Sequence, residues 1–315
     1  LHLKGIKCNS SAGHLAIRYG RLQSLKWLHR EGIQGHASNA AKYGHLHILE
    51  WLYQQGIRCS VQGANKAAHN GQLEVVKWLH RDGILCTGNG ANSAASNGHF
   101  EVLEWLYLQG IPCDVAGACC AAGNGHLEVV QWLHTRGIRC HVEGANKAAA
   151  NGHLQVVTWL HQQGVCCNGN AANLAAENGY LELLKWLHQQ NIRCSVEGAN
   201  NAAGSGNFEV VQWLHYSGIW CTADGANFAA SNGDLQVVRW LHDLQIRCNA
   251  DGANMAASYG HLEVVKWLHQ QGVKCDAEGA NGAAKSGNNE VVKWLYNEGI
   301  SCDYYADWLS LKSCR

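Results

Sequence analysis

Ten tryptophans, Trp51, Trp78, Trp105, Trp132, Trp159, Trp186, Trp213, Trp240, Trp267 and Trp294, follow one another at intervals of 27 residues without a slip. The cysteines from Cys59, Cys86 and Cys113 onward to Cys302 repeat the same interval. A fixed period of this size means stacked supersecondary units. None of them can bury its apolar face alone, so each must share a continuous core with its neighbours.

One repeat shows what the unit is. In Gly63–Cys86, small residues at Ala64, Ala67 and Ala68 suit a short helix packed closely on a neighbour. Asn70-Gly71 is a helix stop and a turn signal. Leu73, Val75, Val76, Trp78 and Leu79 then give the broad apolar face of a second helix, which places the periodic tryptophans in the core. Glu74 and Lys77 sit three apart on the wetter side, Gly83 closes the helix, Ile84 turns back to the core and Cys86 leads into a polar loop. No segment alternates as a strand does, and Pro112 is the one proline. The expected class is all-α, a helix-turn-helix repeat solenoid.

The run Ala67-Ala68-His69-Asn70-Gly71-Gln72-Leu73-Glu74-Val75-Val76-Lys77 resembles an ankyrin repeat, as does Asn151-Gly152-His153-Leu154. That family's unit is longer, about 33 residues, and opens with Thr-Pro-Leu-His where this chain has Gly-Ala-Asn, so Asn65 and its equivalents take the family's histidine position. The missing residues come out of the loop that builds the projecting hairpin. The resemblance implies a non-enzymatic binding scaffold whose first-helix face lines a concave surface.

Composition narrows the functions. Basic and acidic residues balance at 24 each and make up 15% of the chain, so no global field seeks a polyanion. No apolar run reaches the length of a membrane span, and no signal-peptide pattern opens the sequence. Fifteen cysteines could form a disulfide framework. Yet equivalent residues of successive repeats lie about 10 Å apart, beyond the ~7 Å limit between bridged Cα atoms. One cysteine per repeat reads as a small buried hydrophobe of a reducing compartment.

The uninterrupted register predicts a single array over 1–315, of about eleven repeats. Residues 1–7 would be the tail of a preceding repeat, since Leu1-His2 aligns with Leu28-His29. Trp27 and Trp51 are only 24 residues apart, because the loop after Ile33 is short by three. Residues 302–315 would form a capping half-unit, with a polar outer face for the end of the array.

His80, His134, His161, His188, His215, His242 and His269 recur after Trp-Leu. Tyr53, Tyr107 and Tyr296 replace them elsewhere, which points to a shared hydrogen bond or helix-terminus role and away from metal ligation. The pairs Cys119-Cys120 and Cys166-Cys167 have no partner at zinc spacing. No catalytic set, phosphate loop or dinucleotide fingerprint stands out. We expect no enzyme, metal or cofactor.

What varies between repeats carries more information. After Gly-Ala-Asn the chain runs Lys66, Ser93, Cys120, Lys147, Leu174, Asn201, Phe228, Met255, Gly282. Three residues further on it runs Arg18, Lys42, His69, Ser96, Gly123, Ala150, Glu177, Gly204, Ser231, Ser258, Lys285. Core positions do not tolerate such a spread, so both series are expected at the surface. The expected partner-binding residues are Lys42, Lys66, His69, Ser93, Ser96, Lys147 and Glu177, then Asn201, Asp224, Phe228, Asp251, Met255, Ser258 and Lys285. Early repeats carry Arg18, Arg21 and Lys42, and late loop tips carry Glu197, Asp224, Asp251 and Glu278. Phe228 and Met255 edged by acid suit a basic-hydrophobic peptide or helix. The alternative is a modular nucleic-acid reader, for which Arg58, Arg139, Arg193, Arg247 and Lys274 would track a backbone. The balanced charge weighs against it. The protein is expected to be a monomer inside the cell, in the cytoplasm or the nucleus.

Overall fold

A computed structural model describes residues 10–303. Among these residues 22 helices follow one another and no strand occurs. The repeat dissected above has its first helix at Val61–His69 and its second at Leu73–Arg81. The first helix begins a turn before the alanine spacing requires, because Ser60 caps it: the Ser60 hydroxyl accepts the Gly63 N–H at 3.3 Å. Asp114, Asn249 and Asp276 cap the corresponding helices in the same way.

Gly71 and Gly83 end the two helices with φ of 71° and 80°. Gly71 is needed twice over, since a Cβ there would lie 2.6 Å from Nδ1 of His99 in the next repeat. Two second helices end without glycine, and Asn191 and Gln245 carry the left-handed φ of 62° and 66° themselves. The short spacing between Trp27 and Trp51 appears as a first helix, Ala37–Lys42, of 6 residues where its counterparts have 9.

Two layers build the core. First helices stack through fully buried alanines such as Ala64, Ala67 and Ala68, whose size lets the backbones approach. Second helices turn Val75, Val76 and Leu79 inward, and burying side chains of that size stabilises by about 1.5–3 kcal/mol each. Helix Ala223–Ser231 meets Ala250–Tyr259 along its length, whereas Leu235–Asp243 touches Leu262–Gln270 at few points.

The tryptophans correct the sequence reading. Trp78, Trp159 and Trp213 are only partly buried. Each lies between successive second helices, where the His or Tyr of the preceding repeat meets it edge-on: His80–Trp105 at 5.0 Å, Tyr53–Trp78 at 4.6 Å and His188–Trp213 at 5.4 Å. The shared role of His and Tyr is therefore ring packing. The Nδ1 atoms of His80, His188 and His242 are buried without a hydrogen-bond partner, against the expected shared hydrogen bond.

By contact the described residues divide into two compact bodies, one of those up to 148 with 155–166, the other of 149–154 with those from 167 onward. Each is a stack of the same helix pairs. The expected N-terminal tail at 1–7 lies outside the described residues. Of the expected cap, only Cys302 and Asp303 lie within them.

Candidate functional site

Within each body the repeats are joined by the asparagine of Gly-Ala-Asn. Asn227 Oδ1 accepts the Asn249 N–H at 3.1 Å while its Nδ2 donates to Asn249 Oδ1 at 2.9 Å. Asn65 grips Thr87 in the same two-point fashion, Asn92 grips Asp114, Asn200 grips Thr222 and Asn254 grips Asp276. The asparagine thus orients the residue that caps the next first helix. Asp114 shows the electrostatic result: hydrogen bonds from Asn92, then from the Gly117 and Ala116 N–H groups, hold its carboxyl below the usual value.

The cysteine before each cap is buried. Cys221, Cys248 and Cys275 donate their S–H groups to Ala199, Ala226 and Ala253 carbonyls of the preceding repeat at 3.3, 3.2 and 3.1 Å. Burial pushes Cys86, Cys194, Cys248 and Cys275 up to about 12 and Cys221 to about 11. Such thiols serve as small packing groups.

The clamps set the first helices side by side, and this merges the two variable series into one surface. A residue of the second series abuts the first-series residue of the next repeat. Asn201 donates to Glu177 at 3.1 Å. A Cβ on Gly204 would lie 2.8 Å from Cβ of Phe228, and one on Gly123 would lie 3.0 Å from Cβ of Lys147. Small residues in one repeat make room for large ones in the next, so Gly123, Gly204 and Ser231 are buried and not exposed as expected. Ser231 donates to the Phe228 carbonyl at 2.8 Å.

Of the expected contact residues, Lys66, His69, Lys147, Asp224, Phe228, Asp251 and Lys285 are exposed. Lys42, Ser93, Ser96, Glu177, Asn201, Met255 and Ser258 are partly buried within the same surface. In the first body, His69, Ser93, Ser96 and Cys120 line a shallow cleft of about 310 Å³ with Asn92 and Asn97, and Asn97 Nδ2 lies 3.1 Å from His69 Nδ1.

In the second body, Phe228 is 40% exposed, and Asp224 lies one turn before it on helix Ala223–Ser231. On Ala250–Tyr259 the residues Asp251, Met255 and Tyr259 fall four apart on one face. Tyr259 is 66% exposed and was missed in the sequence reading. The signal was there: tyrosine stands where most repeats have the asparagine before glycine. Asp224 and Asp251 also accept from the caps Thr222 and Asn249 at 3.3 and 3.2 Å, which fixes the acids at the helix N-termini.

Among the described residues no three His, Cys, Asp or Glu side chains gather as metal ligands would, and no helix is long and apolar enough to cross a membrane.

Models of the family described as ankyrin repeats match residues 118–200, 199–279 and 226–306, and a second such model matches 37–80 and 91–134. No curated protein matches. Solved structures similar to the chain include the pentatricopeptide repeat protein PPR10 from maize, at 12% identity and a TM-score of 0.42, with 94% of this chain and 55% of that one covered. The same protein in complex with an 18-nt psaJ RNA element aligns at 14% identity and a TM-score of 0.34, over 92% of this chain and 59% of that one. The chain thus spans little more than half the length of those structures.

Proposed function

The chain belongs to the ankyrin-repeat family, and on that premise we propose that it is a non-enzymatic protein-binding scaffold, one continuous array whose contact surface is the variable row of its first helices. The observation that carries this reading is the apolar spot in the second body. Phe228, Met255 and Tyr259 stand on neighbouring first helices at positions where other repeats carry Lys, Ser or Asn. Large apolar and aromatic side chains that the fold leaves open to solvent are the anchors of interfaces.

Asp224 and Asp251 edge the spot at its N-terminal side, with Glu197 and Glu278 in the flanking repeats, all exposed. Their field would steer a basic segment onto the apolar residues. The partner is therefore a peptide or helix with one apolar face and basic flanks. We take the protein to act as a monomer in the cytoplasm or nucleus, a placing that the free thiols of Cys194, Cys221 and Cys248 favour.

The test uses a labelled amphipathic peptide of leucine and lysine, with mixed-sequence single-stranded RNA as the contrast, both read by fluorescence anisotropy. Replacing Phe228 and Met255 together by Ser should weaken peptide binding at least about tenfold, while the unfolding midpoint stays nearly unchanged, as for surface residues. Unchanged binding with a large loss of stability would mean that the pair only fills a gap between helices. Tighter binding of the RNA than of the peptide would favour the nucleic-acid reading.

A further inference from the structure

At one joint in the first body a cysteine takes the place of the clamping asparagine, as Ser38 does at an earlier joint. Cys119 occupies the Gly-Ala-Asn position on helix Val115–Gly123, so no side-chain amide reaches the cap residue His141 of the next repeat. What Cys119 meets there is the periodic cysteine of that repeat. A Cβ placed on Gly144 would collide with the Cys140 sulfur while lying 2.9 Å from Cα and 3.0 Å from Cβ of Cys119. The Cys140 sulfur and the Cα–Cβ bond of Cys119 therefore both close over Gly144, the one residue there that has no side chain. Cys119 and Cys140 are both 5% exposed, and the Cys140 S–H donates to the His141 carbonyl at 3.4 Å.

This arrangement escapes the spacing argument against cross-repeat bridges. That argument holds for equivalent cysteines one period apart. Cys119 and Cys140 are 21 residues apart and occupy different positions of successive repeats. They occupy the positions that Asn92 and Cys113 hold at the preceding joint, where a Cβ on Gly117 would meet the Cys113 sulfur and Asn92 Oδ1.

We propose that Cys119 and Cys140 form an oxidation site, in which a peroxide converts the two thiols into a disulfide that joins consecutive repeats. In the first step the Cys119 sulfur attacks a peroxide oxygen as its proton leaves, the O–O bond breaks and water departs, giving a sulfenic acid. In the second step the Cys140 sulfur attacks the Cys119 sulfur. The S–S bond forms, and the sulfenic hydroxyl departs with the Cys140 proton as water. Two electrons pass from the thiol pair to the peroxide, and two waters result. Burial, and next the neighbouring Cys119, push the Cys140 thiol up, and its proton leaves with the sulfenic hydroxyl in the second step. Access comes from local opening, which is cheapest where the two hydrogen bonds of the clamp are missing. Oxidation then fastens a joint that lacks the asparagine clamp.

The experiment is peptide mapping by mass spectrometry after treating the whole chain with hydrogen peroxide and alkylating the remaining thiols. A linked pair of peptides containing Cys119 and Cys140 is expected, lighter by two hydrogens than its reduced parts. It should be absent in Cys119→Ser and retained in Cys120→Ser, which separates it from the exposed neighbour. Cys119→Asn restores the clamp, so it should fold at least as well as the parent and yet form no bridge. Hydrogen exchange of the amides around His141 should slow on oxidation in the parent alone. Recovery of both thiols fully alkylated, with oxidation confined to the exposed Cys120 and Cys166, would overturn the proposal.

Discussion

The first helices and the second helices of this protein are stacked by different physics. Between first helices lie alanines with no exposed surface, glycines where a neighbour presses in, a two-point asparagine clamp and a buried thiol. Between second helices lie partly buried tryptophans, each met edge-on by a histidine or tyrosine. Valine and leucine join the two layers from inside each repeat. Hydrogen bonds and close backbone approach are directional and intolerant of volume, so the first-helix layer sets register. Apolar burial is additive and forgiving, so the second-helix side supplies more of the energy.

Alkali gives the strongest means of breaking the first layer alone. Cys86, Cys194, Cys248 and Cys275 rise from 9.0 to about 12 on folding. The folded state favours the protonated thiol, so stability is full below pH 9.0 and falls as pH climbs toward 12. Between those limits the unfolded chain has lost protons that the folded chain still holds. Each thiol costs about 1.4 kcal/mol per pH unit in that window, and several act together. Thiolate absorbance followed alongside circular dichroism should show ionisation and loss of helix in one transition. Thiols that titrate near 9.0 with the helices intact would show the cysteines to be no part of the joint.

Within the second helices, Leu214 and Trp213 separate interior from exterior. Leu214→Ala should cost about 2–5 kcal/mol in urea unfolding, because Leu214 is fully buried. Trp213→Ala should cost less than about 3 kcal/mol despite removing more atoms, since Trp213 is only partly covered. The opposite order would make the tryptophans the true core.

A smaller effect tests the clamp. Asn227→Ala leaves the Asn249 N–H and side chain without their partner, for a loss of about 1–3 kcal/mol. Hydrogen exchange should rise first in the turn around Asn249, where the cap loosens. A uniform rise across the body would place the asparagine in general packing instead.

The helix pairs were legible in the sequence because a helix is written locally, in apolar spacing and in the Asn-Gly stops. So was the first-helix placement of the variable residues, which follows from their offset to the Ala-Ala pair. The period also assigned the cysteines to the interior. Three features lay beyond it. The tryptophans have the spacing of core residues, but how far a large ring is covered depends on how closely the next repeat approaches. Gly123, Gly204 and Ser231 vary as surface residues do, yet they are buried by Lys147, Phe228 and their counterparts from the next repeat, a compensation that exists only once the helices are stacked. Cys119 and Cys120 read as a pair without a partner at zinc spacing, and nothing along the chain says that Cys119 and Cys140 close over the same glycine. A repeating sequence determines what each unit is, because helix formation is local. Which side chains of one unit touch those of the next is decided by the stacking geometry, where separations of a few ångströms depend on every small residue in the joint.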